Sequence, residues 1–132
     1  METTTIVQVS IVGEDTGNPY NGKFKVKTLL TRRDHFVADE RRRILVGANA
    51  ASVANSVNAE AFMMGQLVVR IVEAPKWWTD SDGGLDLEDS NLVGELFSLV
   101  MKAEEERKEN LKKESGKAMK RLSKPEVAAQ DE

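Results

Sequence analysis

Residues 61–78 constrain this chain more than any other stretch: Ala61-Phe62-Met63-Met64-Gly65-Gln66-Leu67-Val68-Val69-Arg70-Ile71-Val72-Glu73-Ala74-Pro75-Lys76-Trp77-Trp78. A mostly apolar run is halted by a proline and followed at once by two adjacent tryptophans. Ala61, Gly65, Val68, Val69 and Val72 recur at helical spacing with Phe62 beside them, so the run reads as the central helix of a packed domain. Pro75 has no N–H to donate and disfavours helical geometry in the residue before it. That predicts a helix closing near Glu73 or Ala74. Only 5% of the chain is aromatic, so Trp77 and Trp78 hold a large share of its aromatic surface. An indole offers a wide apolar face and one N–H to satisfy. The pair either pins the following loop to the core or waits for a partner, and both readings stay open.

The rest of the chain can supply a modest core around that helix. Its 132 residues suit one domain, and 40% hydrophobic with 31% charged residues is an ordinary soluble balance. No run approaches the roughly 18 apolar residues of a membrane span. Met1-Glu2-Thr3-Thr4-Thr5 does not lead from a basic region into an apolar stretch, so a secretory signal is not expected. Cysteine is absent, which excludes disulfides, thiolate nucleophiles and the common structural zinc sites. A net charge of -3 counts against a dedicated nucleic-acid binder, with local basic patches left open. Membrane attachment is not expected, and a cytoplasmic protein fits best.

Ahead of the central helix, Val7, Val9 and Ile11 alternate with Gln8 and Ser10 as in a half-buried strand. A turn-rich stretch over residues 13–22 leads to a second strand, in which Phe24 and Val26 point inward and Lys23, Lys25 and Lys27 outward. Such a lysine row protects an edge strand from stray pairing. Thr31-Arg32-Arg33-Asp34 has the capping-box form, predicting a helix over residues 32–46 ended by Gly47. Its inward positions are expected at Phe36, Val37, Arg41, Ile44 and Leu45. Arg41, Arg42 and Arg43 point in different directions and are expected to pair with Asp34, Asp39 and Glu40. His35, the sole histidine, has no recognisable ligand set. Residues 48–58 read as a connector, with Asn58 as the cap of the central helix.

After the tryptophans, residues 79–86 form an acidic loop that resembles a calcium loop only superficially, because the spacing of the remaining ligands is missing. Asp86 or Asp89 is expected to open the last helix, whose stripe is Leu92, Val93, Leu96, Phe97, Val100 and Met101. Beyond Ala103 the apolar face disappears. Glu104 with Arg107 or Lys108 can keep a solvated helix together as far as Gly116, and residues 123–132 read as a disordered tail. The resulting organisation is an α+β domain over residues 1–103 with a charged helical extension and flexible tail over 104–132. Its N-terminal antiparallel strand pair packs on about three helices, and the expected core joins Phe24 and Val26 to Val68, Val72, Leu96 and Val100. Catalytic signatures are missing. Gly83-Gly84 lacks the Lys-Ser/Thr of a phosphate-binding loop, and no Gly-x-Ser-x-Gly elbow is present. No catalytic residue, metal or cofactor is expected, and the chain reads as a binding protein and not an enzyme.

Three segments together resemble the tail assembly chaperones of long-tailed bacteriophages. They are Gly22-Lys23-Phe24-Lys25-Val26-Lys27 leading into Leu30-Thr31-Arg32-Arg33-Asp34, then Val69 through Trp78, then Leu87-Glu88-Asp89-Ser90-Asn91-Leu92-Val93. The likeness spans roughly residues 22–99, and Glu73-Ala74-Pro75-x-Trp77-Trp78 is its most specific part. It implies a chaperone in the host cytoplasm that keeps the long tape measure protein soluble and helps tail tube protein subunits gather on it. Pro75, Trp77 and Trp78, with Leu85 and Leu87 from the acidic loop, are the candidate surface for the client or for self-association. A structural virion component, such as a head-tail connector or tail-completion protein, is the alternative. A nucleic-acid binder using Arg41 to Arg43 and the lysine-rich arm would show binding that weakens steeply with salt.

Overall fold

The computed structural model describes the backbone of residues 3–47 and 54–130, with side chains as far as Gly116. Strand β1 (Thr4–Val12) pairs antiparallel with β2 (Pro19–Lys27) in one unbroken register, from Thr4 opposite Lys27 to Val12 opposite Pro19. The alternation read from sequence sets the two faces. Val7, Val9, Ile11, Tyr20, Phe24 and Val26 are all buried on one side. A third strand, β3 (Ile71–Glu73), pairs with the other side of β2, placing Glu73 opposite Lys25 and Ile71 opposite Val26. The sheet order is therefore β1-β2-β3. This corrects the role expected of the lysine row: Lys23, Lys25 and Lys27 lie on the central strand, and the long edge is uncharged β1.

Helix α1 (Arg32–Val46) begins at the expected capping box, with the Thr31 side chain accepting from Asp34 N–H and the Asp34 carboxylate accepting from Thr31 N–H. Gly47 closes it at φ +81°. The expected inward face of α1 is only partly right: Leu45 packs against the core and Arg41 is half-buried, but the other three positions turn outward. Phe36 is 73% exposed, Val37 and Ile44 are also exposed, and Ala38 is the one fully buried residue of α1. The reason is close approach: Gly65 of the next helix, α2 (Asn55–Arg70), lies so near the Ala38 carbonyl that a Cβ there would collide with it. A small-residue contact sets which face of α1 turns inward, and it is not the most apolar one. Of the expected ion pairs, Asp39 takes both Arg42 and Arg43, while Asp34 pairs with Lys27 of β2 instead.

Helix α2 is capped by Ala54 without a side-chain bond, so Asn58 is not its cap; the connector expected over residues 48–58 lies outside the described residues at 48–53. The helix also stops earlier than its pattern suggested. Arg70 is its last residue, and Ile71 turns extended at φ -76°, ψ 117° because residues 71–73 complete the sheet. The inward set shifts accordingly. Met64 and Leu67 enter the core, whereas Val68 and Val72 are exposed. A four-residue helix α3 (Lys76–Thr79) follows Pro75, and α4 (Leu92–Gln130) completes the chain.

The core lies between the sheet and α2 and α4, where Leu92, Leu96 and Val100 meet Val9, Phe24, Val26 and Leu67. The expected stripe of α4 is present. Past it, Glu104 is 4% exposed and accepts from Arg70 Nε at 2.7 Å, with Lys108 on its other oxygen at 3.0 Å. Burial alone would raise the Glu104 pKa, but the bonds from Arg70 and then Lys108 hold it below its ordinary value. The charged extension is thus tied to the domain at its first residue, and its backbone stays helical past Gly116, where the helix was expected to end, as far as Gln130. The architecture is α+β, a small antiparallel sheet covered on one face by helices.

Candidate functional site

Pro75 and Trp77 continue the sheet where β3 stops. The Pro75 ring rests on Gly22, at φ +155°, where any Cβ would run into it. One residue further, Trp77 Nε1 donates to the Asn21 carbonyl at 2.8 Å. In this register that carbonyl points to the β3 side of β2, so the indole satisfies an edge acceptor that no strand reaches. Its ring packs on Tyr20 and Phe24 at centroid distances of 5.1 and 5.6 Å. Trp78 is buried, edge-on to Phe24 at 5.7 Å. The pair pins the loop to the core, and the aromatic surface left for a partner is the outer edge of Trp77.

The loop after α3 folds around Trp78. Ser81 Oγ donates to the Trp78 carbonyl at 2.9 Å and accepts from Gly84 N–H at 3.2 Å. Asp82, Gly83 and Gly84 all take positive φ. Gly84 lies against the indole so closely that only a residue without Cβ fits. The loop's carboxylates do not gather: among the described residues there is no group of three or more His, Asp or Glu side chains able to hold a metal ion. Asp89 does not open α4, which starts at Leu92. Its carboxylate accepts instead from the Asp15 and Thr16 N–H groups, both at 2.8 Å, and from the Thr16 and Tyr20 hydroxyls.

The same loop forms one wall of an apolar groove of about 180 Å³. Leu85 and Leu87 line it together with Leu45, Val57 and Met64 and the buried Leu92 and Val93 of α4, with the buried Asp89 also in the lining and exposed Glu60 at the rim. Leu85 is 39% exposed and Leu87 half-buried. The five expected partner residues thus divide between two places. Pro75 and Trp77 latch onto β2 with Trp78 buried behind them in the core, and Leu85 and Leu87 open onto the groove. Leu45, Val57 and Met64 were not expected there: Leu45 was placed on the inward face of α1, Val57 in the connector and Met64 inside the central helix. Only the fold brings those residues to the loop.

Titratable chemistry is quiet in this region. Asp89 is pulled down to about 2, chiefly by the Tyr20 hydroxyl and against its own burial, and Tyr20 is raised by the same bond. Both shifts hold the groups in their usual neutral-pH states, an anion and a neutral phenol. Neither is poised to exchange a proton near pH 7. What the site offers is shape and apolar surface. Comparison with protein-family models, curated proteins and solved structures returns no match to this chain.

Proposed function

We propose that the chain is a tail assembly chaperone of a long-tailed bacteriophage. In this reading it is a non-catalytic binding protein of the host cytoplasm that keeps the tape measure protein soluble and helps tail tube subunits gather on it. The reading is supported by the resemblance over residues 22–99 and by one structural observation, the open apolar groove beside Leu85 and Leu87. Such a groove accepts the apolar row of an amphipathic helix, and a rim carrying Glu60 favours basic residues flanking that row. Chaperoning of this kind needs no bond-making chemistry. It needs apolar surface on a chain that stays soluble by its charges.

Co-expression with the tape measure protein of the same genome tests the reading. Soluble client that co-purifies with the chain is the expected result. Leu85→Lys should lower that recovery about tenfold, the effect of losing one good interface contact, at unchanged melting temperature. An insoluble client with no association overturns the proposal, and recovery of the chain from purified virions would mark a structural component instead.

A further inference from the structure

We infer that the free edge of β1 is a self-association surface, on which a second copy of this chain adds its own β1 antiparallel to form a continuous six-stranded sheet. The inference is independent of the chaperone reading. Thr28 N–H donates to the Thr3 carbonyl and Gly13 N–H to the Asn18 carbonyl, so odd-numbered residues of β1 bond to β2. The N–H and C=O groups of Thr4, Ile6, Gln8, Ser10 and Val12 therefore point away from the sheet. Among the described residues only the Val12 carbonyl has a side-chain partner, Asn91 Nδ2 at 3.0 Å, which leaves its second lone pair.

Natural edge strands are blunted by charge, proline, bulges or shortness. This one has nine residues, no charge, no proline and no bulge against β2. Its outward side chains include two exposed apolar residues, Ile6 at 56% and Val12 at 67%. An antiparallel copy centred on Val9 sets Ile6 opposite Val12 and Gln8 opposite Ser10 in both halves. Each exposed apolar side chain then covers the other, and an amide meets a hydroxyl.

Helix α4 carries the same symmetry. It runs antiparallel to β1, with Asn91 at Val12 and a groove of about 440 Å³ along Ser10 and Ile11, walled by Gly94, Glu95, Ser98, Leu99 and Lys102. From the Asn91 contact, three strand residues cover about 10 Å, as do six or seven helical residues, so Val9 stands abreast of Phe97 and Ser98. Glu95 and Lys102 lie on either side of that point. A two-fold axis there turns Glu95 of one copy toward Lys102 of the other, and Lys102 has no ion pair among the described residues. Gly94 has open space where its Cβ would be, and with Ser98 it lets the second helix come close. Charge, register and small side chains all select a second copy.

Sedimentation of the full chain tests this, with a dimer of the 14.7 kDa protein as the expected species at micromolar concentration. Gln8→Glu with Ser10→Glu places like charges opposite each other across the axis. Within one copy Gln8 faces Lys23 and Ser10 faces Asn21, so the fold should tolerate the pair. Dissociation should rise at least 100-fold at unchanged melting temperature. Because the chain has no cysteine, an Ile6→Cys copy mixed with a Val12→Cys copy should form an intermolecular disulfide on oxidation, and neither variant alone should. This second test holds even if the double glutamate variant folds poorly. A monomer throughout the concentration range overturns the inference. So does a dimer that ignores the glutamates and shows no mixed crosslink, which would place the contact elsewhere; a monomer that loses the tape measure protein on the glutamate pair would give the edge to the client.

Discussion

Four donors converge on Asp89: the Tyr20 hydroxyl, the Thr16 N–H and hydroxyl, and the Asp15 N–H. One carboxylate thereby holds the β1–β2 loop against the start of α4, and Gly13 lies so close that a Cβ would strike the carboxyl group. The donors favour the anion, the Tyr20 hydroxyl most, and overcome the burial that opposes them, so the pKa falls from 3.8 to about 2. A carboxylate lowered on folding stabilises the fold at every pH above its unfolded value, because the unfolded chain takes up the proton first. That contribution fades as pH falls from about 4, the ordinary aspartate value, through the folded value. Asp89→Asn should therefore melt lower than the natural chain at pH 7, with the gap closing between about pH 4 and pH 2. A gap that stayed constant over that range in urea or thermal melts would show that the anion is not its source. In the sequence Asp89 reads as a helix opener, since it stands just before an apolar stripe. Its donors sit 69 to 74 positions away, and no local spacing announces a partner at that range.

At the level of elements, what was legible was local. The Thr31 capping box, the Gly47 stop and the alternation of both long strands are complete within a few residues and are present, although β2 begins at Pro19, inside the turn-rich stretch expected over residues 13–22. Where a partner decides, the pattern misleads. The periodicity over residues 61–72 continues past Arg70, but β2 takes Ile71, Val72 and Glu73 as a strand. The lysines of β2 suggested an edge because nothing local reveals that β3 will pair beside them. Likewise, Phe36 and Ile44 look like the inner face of α1 until Gly65 meets Ala38. The tryptophan pair was ambiguous for the same reason, and the latch now separates its members. Trp78→Ala removes a buried ring from the core and should cost about 3–5 kcal/mol. Trp77→Phe keeps an aromatic ring against Tyr20 and Phe24 and loses the bond to the Asn21 carbonyl, for about 1 kcal/mol. Urea denaturation of both variants checks the order. A larger loss for Trp77→Phe would reverse the assignment of core and latch.

For the whole molecule, the first turns of α4 divide two surfaces. Leu92 and Val93 face the groove of Leu85 and Leu87, whereas Gly94, Glu95 and Ser98 face the groove under β1. Two proposals therefore meet on opposite flanks of one helix, and pairing through β1 leaves the client groove open in each copy. A dimer so built carries two grooves related by the two-fold axis. A long client with repeated apolar segments could engage both, and linking two binding events raises avidity by about 10²–10⁴ without any new contact when the spacing permits. This yields a prediction that neither proposal makes alone. The Gln8→Glu, Ser10→Glu variant should bind a fragment of the tape measure protein with one groove-binding segment as tightly as the natural chain does. A fragment with two segments should lose its avidity and fall to the single-segment value. Leu85→Lys should weaken both fragments, because it alters the groove itself. Calorimetry with the two fragments distinguishes the cases: equal loss on both from the glutamate pair would mean that edge and groove are one surface, and no loss on either would mean that the client spans a single copy.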